Sequence, residues 1–144
     1  MKISIAYVSN TNTTKEIAEC FKQNFIQRGI EVYLSDIKNV DFETFLNADI
    51  FFLGSPACGV EQIDKNHMIP FITKINKKIK NKNVFLFGSY GWGGGVFIKD
   101  FKNFLNDVNI IGEFTNLEHP TTKTKEKIEE IVKKIIKNFI NKKE

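Results

Sequence analysis

Three short segments of the chain combine hydroxyls, glycines and one large aromatic ring, and each follows an apolar run. The first, residues 9–14, reads Ser-Asn-Thr-Asn-Thr-Thr and holds four hydroxyls in six positions. Hydroxyls and backbone N–H groups ahead of a helix can bind a phosphate without Arg or Lys, because the helix dipole favours an anion there. We therefore expect a cup for a terminal phosphate. An alternative that needs no ligand is a capping box formed by Thr13 and Glu16.

The other two segments are residues 54–61, Gly-Ser-Pro-Ala-Cys-Gly-Val-Glu, and residues 89–95, Ser-Tyr-Gly-Trp-Gly-Gly-Gly. Trp92 is the only tryptophan and stands among four glycines, where the backbone can approach a ligand closely. Such a ring suits stacking on a flat heterocycle, although it could instead cover the end of the sheet. Cys58 has no His or cation near it in sequence to lower the pKa of its thiol, so we favour a packing role over a nucleophilic one.

Strands and helices alternate along the whole chain and must position these segments. Predicted strands cover residues 2–8, 30–34, 50–54, 84–88 and 108–114; predicted helices cover residues 14–28, 41–47, 68–78, 97–105 and the tail from 122. This alternation predicts a doubly wound α/β fold, a five-stranded parallel sheet with helices on both faces, in one domain spanning 1–144. The three segments follow strands one, three and four, so they meet at the carboxyl edge, where such sheets bind ligands.

Composition narrows the classes of function. Hydrophobic residues make up 42% and charged residues 26%, typical of a globular domain. Two cysteines without CxxC spacing and two distant histidines predict no disulfide framework, no metal site and a cytoplasmic location. The net charge of +4 could suggest nucleic acid, but the lysine groups at 74–82 and 133–143 lie toward predicted helix ends, where cations favour the dipole. No apolar run reaches a membrane span, and we expect no signal peptide.

The third segment closely resembles the flavin-stacking loop of short-chain flavodoxins. The first two are similar to that family's phosphate-binding loop and isoalloxazine-contacting turn, and the resemblance covers essentially the whole chain. It implies the strand order 2-1-3-4-5, FMN as cofactor, and single-electron transfer between redox enzymes. It also implies a monomer without chemistry of its own, whose redox protein partners dock at the flavin edge.

By position, the resemblance assigns cofactor contacts to all three segments. The first would hold the FMN phosphate, with Asn12 in place of the family's usual glycine. Because Asn tolerates positive φ better than most residues, we expect the loop geometry to survive. The expected cofactor-binding residues are Ser9, Asn10, Thr11, Asn12, Thr13, Thr14, Ser55, Pro56, Ala57, Cys58, Gly59, Glu61, Ser89, Tyr90, Gly91, Trp92 and Gly93.

The resemblance also implies individual roles around the flavin ring. Trp92 would stack on the outer face, while Ala57 and Cys58 would lie against the inner face. Glu61 would accept a hydrogen bond from the flavin N3–H. In the family, the peptide at the position of Cys58 and Gly59 turns its carbonyl toward flavin N5–H upon one-electron reduction, and Gly59 has the freedom to allow this.

Two other functions are possible on the same fold. An FMN-dependent NAD(P)H or quinone reductase would need a substrate pocket over the flavin, and the short loops offer no His, Arg or Tyr cluster beyond Tyr90. A response-regulator receiver domain would need an Asp at the end of the third strand, where this chain has Gly54 and Ser55. We exclude the receiver domain and keep the reductase as the alternative.

The charge distribution leads to a separate expectation. In this fold helices run from the flavin edge back to the opposite edge. The lysines at 74–82 and at the end of the chain should therefore lie far from FMN. Glu61, Asp64 and Glu118 should lie near it. Lys15, Lys65 and Lys99 should also lie toward that edge, so the separation is partial and the edge is expected to be near-neutral or mildly acidic.

Overall fold

A computed structural model describes residues 1–8, 11–58, 62–91 and 93–140. Its strands are β1 (Lys2–Tyr7), β2 (Glu31–Asp36), β3 (Ile50–Pro56), β4 (Asn83–Tyr90) and β5 (Asn109–Leu117). Its α-helices are α1 (Thr13–Gln27), α2 (Phe42–Leu46), α3 (Met68–Ile75), α4 (Ile98–Phe104) and α5 (Thr122–Ile135). A short 3₁₀ helix covers Ile37–Asn39 and a π-helical turn covers Ile136–Ile140. Each predicted strand and helix is confirmed, with shifts at the ends.

The five strands form one parallel sheet in the order β2-β1-β3-β4-β5, which confirms the predicted topology. Because all strands are parallel, their carboxyl ends share one edge, and β1, β3 and β4 lie side by side there. The three segments singled out in the sequence therefore start from adjacent strands. In the part of the chain that the structure describes, no helix is long and apolar enough to cross a membrane.

Element ends differ from the prediction where the backbone finds other partners. β3 and β4 extend to Pro56 and Tyr90, because their ladder continues past the apolar runs. Pro56 suits a strand end, since it has no N–H to donate. α3 ends at Ile75, and the side chain of the next residue, Asn76, donates to the carbonyl of Phe104 at the end of α4.

The core has two layers, one on each face of the sheet. Helices α1 and α5 cover one face, where a cluster of phenylalanines packs largely edge to face. Phe21 of α1 lies with its ring centroid 5.1 Å from that of Phe52, and Phe52 stacks on Phe85 at 4.7 Å. Helices α2, α3 and α4 cover the other face. Each such aromatic pair adds about 0.5–1.5 kcal/mol beyond area burial, so the face under α1 is tightly fixed.

Two glycines allow the central strands to pack closely just before the site. A Cβ on Gly54 would lie 2.2 Å from the ring of Phe87, and one on Gly88 would lie 2.2 Å from the carbonyl oxygen of Ser55. Neither distance is possible without movement of the backbone or the ring. The absence of side chains at these positions therefore sets the spacing of β3 and β4 where they approach the carboxyl edge.

Candidate cofactor-binding site

A groove of about 470 Å³ opens at the carboxyl edge of the sheet. Four separate segments of the chain line it: Thr11, Thr13, Pro56, Ala57, Ser89, Tyr90, Gly91, Glu118 and His119. We call this cavity the edge groove. Its volume is within the range of small-molecule sites. The structure thus brings residues from all three sequence segments together and adds a fourth, the turn between β5 and α5.

The first segment enters α1 through a left-handed residue. Asn12 has φ 66° and ψ −4°, so the expectation that Asn takes the place of a glycine in this conformation is confirmed. The first helical hydrogen bond runs from the N–H of Glu16 to the carbonyl of Asn12, at 3.0 Å. The side chain of Asn12 does not cap the helix. The first N–H groups of α1 point toward the positive end of the helix dipole, an arrangement that favours an anion.

Hydroxyls from two segments meet beside this helix start. The hydroxyl oxygens of Thr11 and Thr13 lie 3.1 Å apart, and that of Ser89 lies 2.8 Å from Thr13 and 2.7 Å from Thr14. We call these four residues the hydroxyl cluster. Thr14 is fully buried and Ser89 is 2% exposed, whereas Thr11 is exposed. The hydroxyl cluster therefore has a buried part, Thr14 and Ser89, and an accessible part that includes Thr11.

The capping box of Thr13 and Glu16, the alternative that needs no ligand, does not form. The hydroxyl of Thr13 contacts Thr11 and Ser89 instead of a backbone N–H of α1. The carboxylate of Glu16 contacts Nδ1 of His119, at 2.6 Å. The side chains of Thr13 and Glu16 thus both bond to residues distant in sequence, which the local spacing of a capping box cannot predict.

The second segment forms a compact turn after β3. The hydroxyl of Ser55 accepts from the N–H of Asp64 at 2.9 Å and donates to the carbonyl of Pro56, so it is engaged within the segment. The N–H of Ala57 donates to the carbonyl of Ser89, also at 2.9 Å, which joins the second segment to the third.

Cys58 continues this turn. Its N–H donates to the carbonyl of Gln62 at 2.8 Å, and its side chain is half-buried. The pKa of the Cys58 thiol is raised, first by burial and then by the Asp64 carboxylate, while Lys65 acts in the opposite direction. A raised pKa disfavours the thiolate, which agrees with the packing role rather than the nucleophilic one.

Several predicted site residues carry no structural description. Ser9, Asn10, Gly59, Glu61 and Trp92 lie outside the described residues, so their expected roles stay predictions. Gly93 is described and has φ 90°, a conformation that favours glycine. Among the described residues, no three His, Cys, Asp or Glu side chains cluster as metal ligands.

His119 is a groove residue that sequence reasoning missed. It stands 103 positions from Glu16, its hydrogen-bond partner, and no local motif marks it. A series of hydrogen bonds holds its turn. The N–H of Glu118 donates to the carbonyl of Tyr90 at 2.8 Å, and the side-chain amide of Asn116 donates to the carbonyl of Glu118 at 3.1 Å. The turn is thus attached to β4 on one side and presents His119 to α1 on the other.

Asp64 differs from the expected surface charge at the carboxyl edge. Asp64 is only 4% exposed, and its carboxylate accepts from the N–H groups of His67 and Met68 at the start of α3. It is a buried helix cap and not a surface charge. Lys123, in the first turn of α5, lies at this edge and is exposed, whereas Lys82 immediately precedes β4 at the opposite edge. Among the described residues the carboxyl edge carries charges of both signs.

The model of the Flavodoxin family matches residues 5–114. The chain belongs to the flavodoxin family. Flavodoxins are FMN-binding electron-transfer proteins, so FMN is the cofactor and electron transfer is the function. The edge groove fits this cofactor, because it combines hydroxyls at a helix start with an apolar wall that includes Pro56 and Ala57.

Individual relatives agree with this flavodoxin assignment. The chain is 38% identical over 104 residues to a flavodoxin from Clostridium beijerinckii, an alignment that covers 72% of this chain and 75% of the relative. It superposes on the solution structure of two-electron reduced Megasphaera elsdenii flavodoxin with a TM-score of 0.78 and 31% identity, over 91% of this chain and 98% of the other. The rubredoxin oxygen:oxidoreductase of Desulfovibrio gigas shares the fold at 22% identity, with a TM-score of 0.74 over 94% of this chain and 35% of its own length.

Proposed function

We propose that this flavodoxin holds FMN in the edge groove and acts as an electron carrier without turning over a substrate of its own. The observation that supports this most is the hydroxyl cluster at the start of α1, which continues into a groove with apolar walls. A phosphomonoester and a flat apolar ring need these two environments side by side. Bound FMN supplies the one-electron redox chemistry, and the protein binds it, orients it and limits its contact with water.

In this proposal the phosphate lies in the cup formed by the first segment. Thr11 and Thr13 are accessible enough to donate their hydroxyls to it, and the first N–H groups of α1 add the favourable end of the helix dipole. Thr14 and Ser89 are buried behind them and fix their positions.

The ring system lies farther along the groove, against Pro56, Ala57, Tyr90 and Gly91. Cys58 packs at its inner side as a neutral thiol. Ser55 acts indirectly, because its hydroxyl orders the turn that carries Ala57 and Cys58. Trp92 stacks on the outer face, and the roles of Ser9, Asn10, Gly59 and Glu61 follow the family pattern in the same way.

Redox proteins are the partners, and we propose that they dock at the carboxyl edge, where the flavin is nearest to the surface. We also propose a monomeric, single-domain protein of the cytoplasm that binds neither nucleic acid nor membrane. The lysines of the α3–β4 connection lie at the remote edge, away from the flavin. Their presence there does not specifically indicate binding to nucleic acid or to a membrane.

Binding and turnover test this proposal together. Apo-protein should bind FMN more tightly than riboflavin, which lacks the phosphate, and Thr13→Val should reduce that preference. If FMN and riboflavin bind equally, the phosphate does not lie in the cup. Stepwise reduction of the holo-protein should show two separate one-electron steps, whereas multiple turnovers of NAD(P)H with a quinone would favour the reductase alternative.

A further inference from the structure

A side chain from outside the three segments holds the chain just beyond the second one. The N–H of Ile63 donates to Oδ2 of Asp100 at 3.1 Å, across 37 positions of sequence. Asp100 stands in the first turn of α4. The next N–H along the chain, that of Asp64, donates to the hydroxyl of Ser55 in β3 at 2.9 Å. Two successive backbone groups are therefore bonded to side chains of two different elements.

The bond to Ile63 also acts on the groove wall, because Ala57 and Cys58 are tied to the same stretch of chain. The N–H of Cys58 donates to the carbonyl of Gln62, the residue immediately before Ile63, at 2.8 Å. The N–H of Ala57 donates to the carbonyl of Ser89, and Ala57 lines the edge groove. A displacement of Ile63 is therefore passed to the backbone of Cys58, next to the wall of the groove.

The support on which Asp100 stands is itself fixed to the sheet. Phe97 and Phe101, which lie on either side of it in sequence, are fully buried. The ring of Phe97 lies so close to β4 that a Cβ on Gly88 would meet it at 2.7 Å. The side chain of Asp100 therefore links the turn after β3 to a helix whose position is set by β4.

We propose that Asp100 is a positioning residue, which holds Ile63 and so keeps the wall formed by Ala57 and Cys58 in place for the flavin ring. This inference rests on the proposed position of FMN in the edge groove. Without the bond to Asp100, the turn must be ordered when the cofactor binds, and such ordering lowers affinity. The net contribution of one intramolecular hydrogen bond corresponds to about a two- to tenfold change in a binding constant.

The expected effect differs from that of a change at the phosphate. FMN and riboflavin carry the same ring system, so a displaced wall lowers both affinities by the same factor. A change in the hydroxyl cluster affects FMN alone, since riboflavin lacks the phosphate. The charge of Asp100 can also be separated from its hydrogen bond, because Asp100→Asn keeps an oxygen that accepts from the N–H of Ile63.

The test compares the wild type with Asp100→Ala, Asp100→Asn and a matched control, Asp49→Ala. The Asp49 carboxylate also accepts from a distant backbone N–H, that of Lys2 at 3.0 Å, but at the opposite edge of the sheet. Flavin fluorescence gives the dissociation constants of FMN and riboflavin, and NMR follows the exchange of the Ile63 amide proton in the apo-protein. Asp100→Ala should weaken both ligands about two- to tenfold and speed this exchange. Asp100→Asn should retain most of the affinity and of the protection, and Asp49→Ala should change neither.

The outcomes separate this inference from the placement on which it rests. If the wild type binds no FMN, the proposed function itself fails. If the wild type binds FMN but Asp100→Ala binds both flavins equally tightly, or loses affinity for FMN alone, Asp100 does not position the wall. Equal losses in Asp100→Ala and Asp49→Ala would reduce the effect to general stability, and equal losses in Asp100→Ala and Asp100→Asn would assign it to charge. Asp100→Ser, whose hydroxyl ends one bond short of the carboxylate oxygens, replaces Asp100→Ala if that variant does not fold.

Discussion

The hydroxyl oxygens of Thr14 and Ser89 lie 2.7 Å apart, although 75 positions separate the two residues in sequence. Thr14 is the second residue of α1, and Ser89 is the penultimate residue of β4. Both are buried, so this contact joins two segments of the cofactor site beneath its accessible surface. The protein's own side chains thus connect these two segments.

Replacing Ser89 should weaken both the fold and the site. Ser89→Ala removes the shared partner of Thr13 and Thr14 and leaves a buried hydroxyl without its hydrogen bond. We expect the free energy of unfolding of the apo-protein to fall by about 1–3 kcal/mol in urea titrations. Thr73→Ala is the control, because its hydroxyl is exposed and bonds only within α3. If Ser89→Ala and Thr73→Ala lower the free energy of unfolding equally, the buried contact contributes no more to stability than an exposed hydrogen bond within a helix.

The two glycines that flank Ser89 and Tyr90 should differ in their tolerance of a methyl group. A Cβ at Gly88 would meet the carbonyl oxygen of Ser55 at 2.2 Å, whereas a Cβ at Gly91 would meet nothing within 4 Å. Gly88→Ala should therefore lower the free energy of unfolding by about 1–3 kcal/mol, as overpacking does. Gly91→Ala should stay close to the wild type. Thermal unfolding of the apo-proteins gives the comparison, and a stable Gly88→Ala variant would contradict the packing of β3 against β4.

Trp92 should contribute to cofactor affinity. By analogy with the loss of a base–aromatic stack, Trp92→Ala should weaken FMN binding by about 1–3 kcal/mol and shift the reduction potentials. Trp92→Phe, which keeps a flat ring, should retain part of the affinity. Titration of apo-protein with FMN and the quenching of flavin fluorescence provide the measurement. Unchanged affinity, potentials and fluorescence in Trp92→Ala would assign the stacking role to another residue.

The Cys58 thiol should react slowly at neutral pH. Burial and Asp64 raise its pKa, so the reactive thiolate forms only at higher pH than in an unfolded chain. In a Cys20→Ser background, the alkylation rate of apo-protein by iodoacetamide should rise with an inflection above the value of about 8.5 for a free cysteine. The same variant in urea is the control and should show the ordinary inflection. An inflection below the control would instead support an activated nucleophile.

Charge reversal should show which edge meets the redox partners. Changing Lys65, Lys99 and Lys123 to Glu alters the carboxyl edge, and changing Lys78, Lys80 and Lys82 to Glu makes the same net change at the remote side of the sheet. The first set should alter the electron-transfer rate and its dependence on salt more strongly, because steering acts within about a Debye length of the docking surface. A larger effect of the second set would make the basic remote surface the partner site.

The sequence contains the information for the fold because its signals are local. Consecutive apolar residues at Ile50–Leu53 and the one-sided pattern of Ile17, Phe21 and Phe25 predict buried strands and a packed helix without reference to other segments. The positive φ of Asn12 also follows from a local preference.

The parts of the site that could not be predicted depend on contacts between distant segments. Glu16 bonds His119 instead of the helix start, and the local capping pattern gives no sign of this. Asp64 reads as a surface charge in sequence, but it is buried because the start of α3 offers it two N–H groups. Tertiary partners outcompete the local options in both cases.

The assembly of the edge groove has a consequence for synthesis on the ribosome. Its lining comes from residues 11–13, 56–57, 89–91 and 118–119. The lining is therefore complete only when the turn after β5 has emerged from the ribosome. Chains are made at about 5–20 residues per second, and a domain generally folds as a unit. FMN therefore cannot stabilise the early nascent chain by binding to it. The buried phenylalanines under α1 all lie within residues 21–87, so they are synthesised before the lining of the groove is complete.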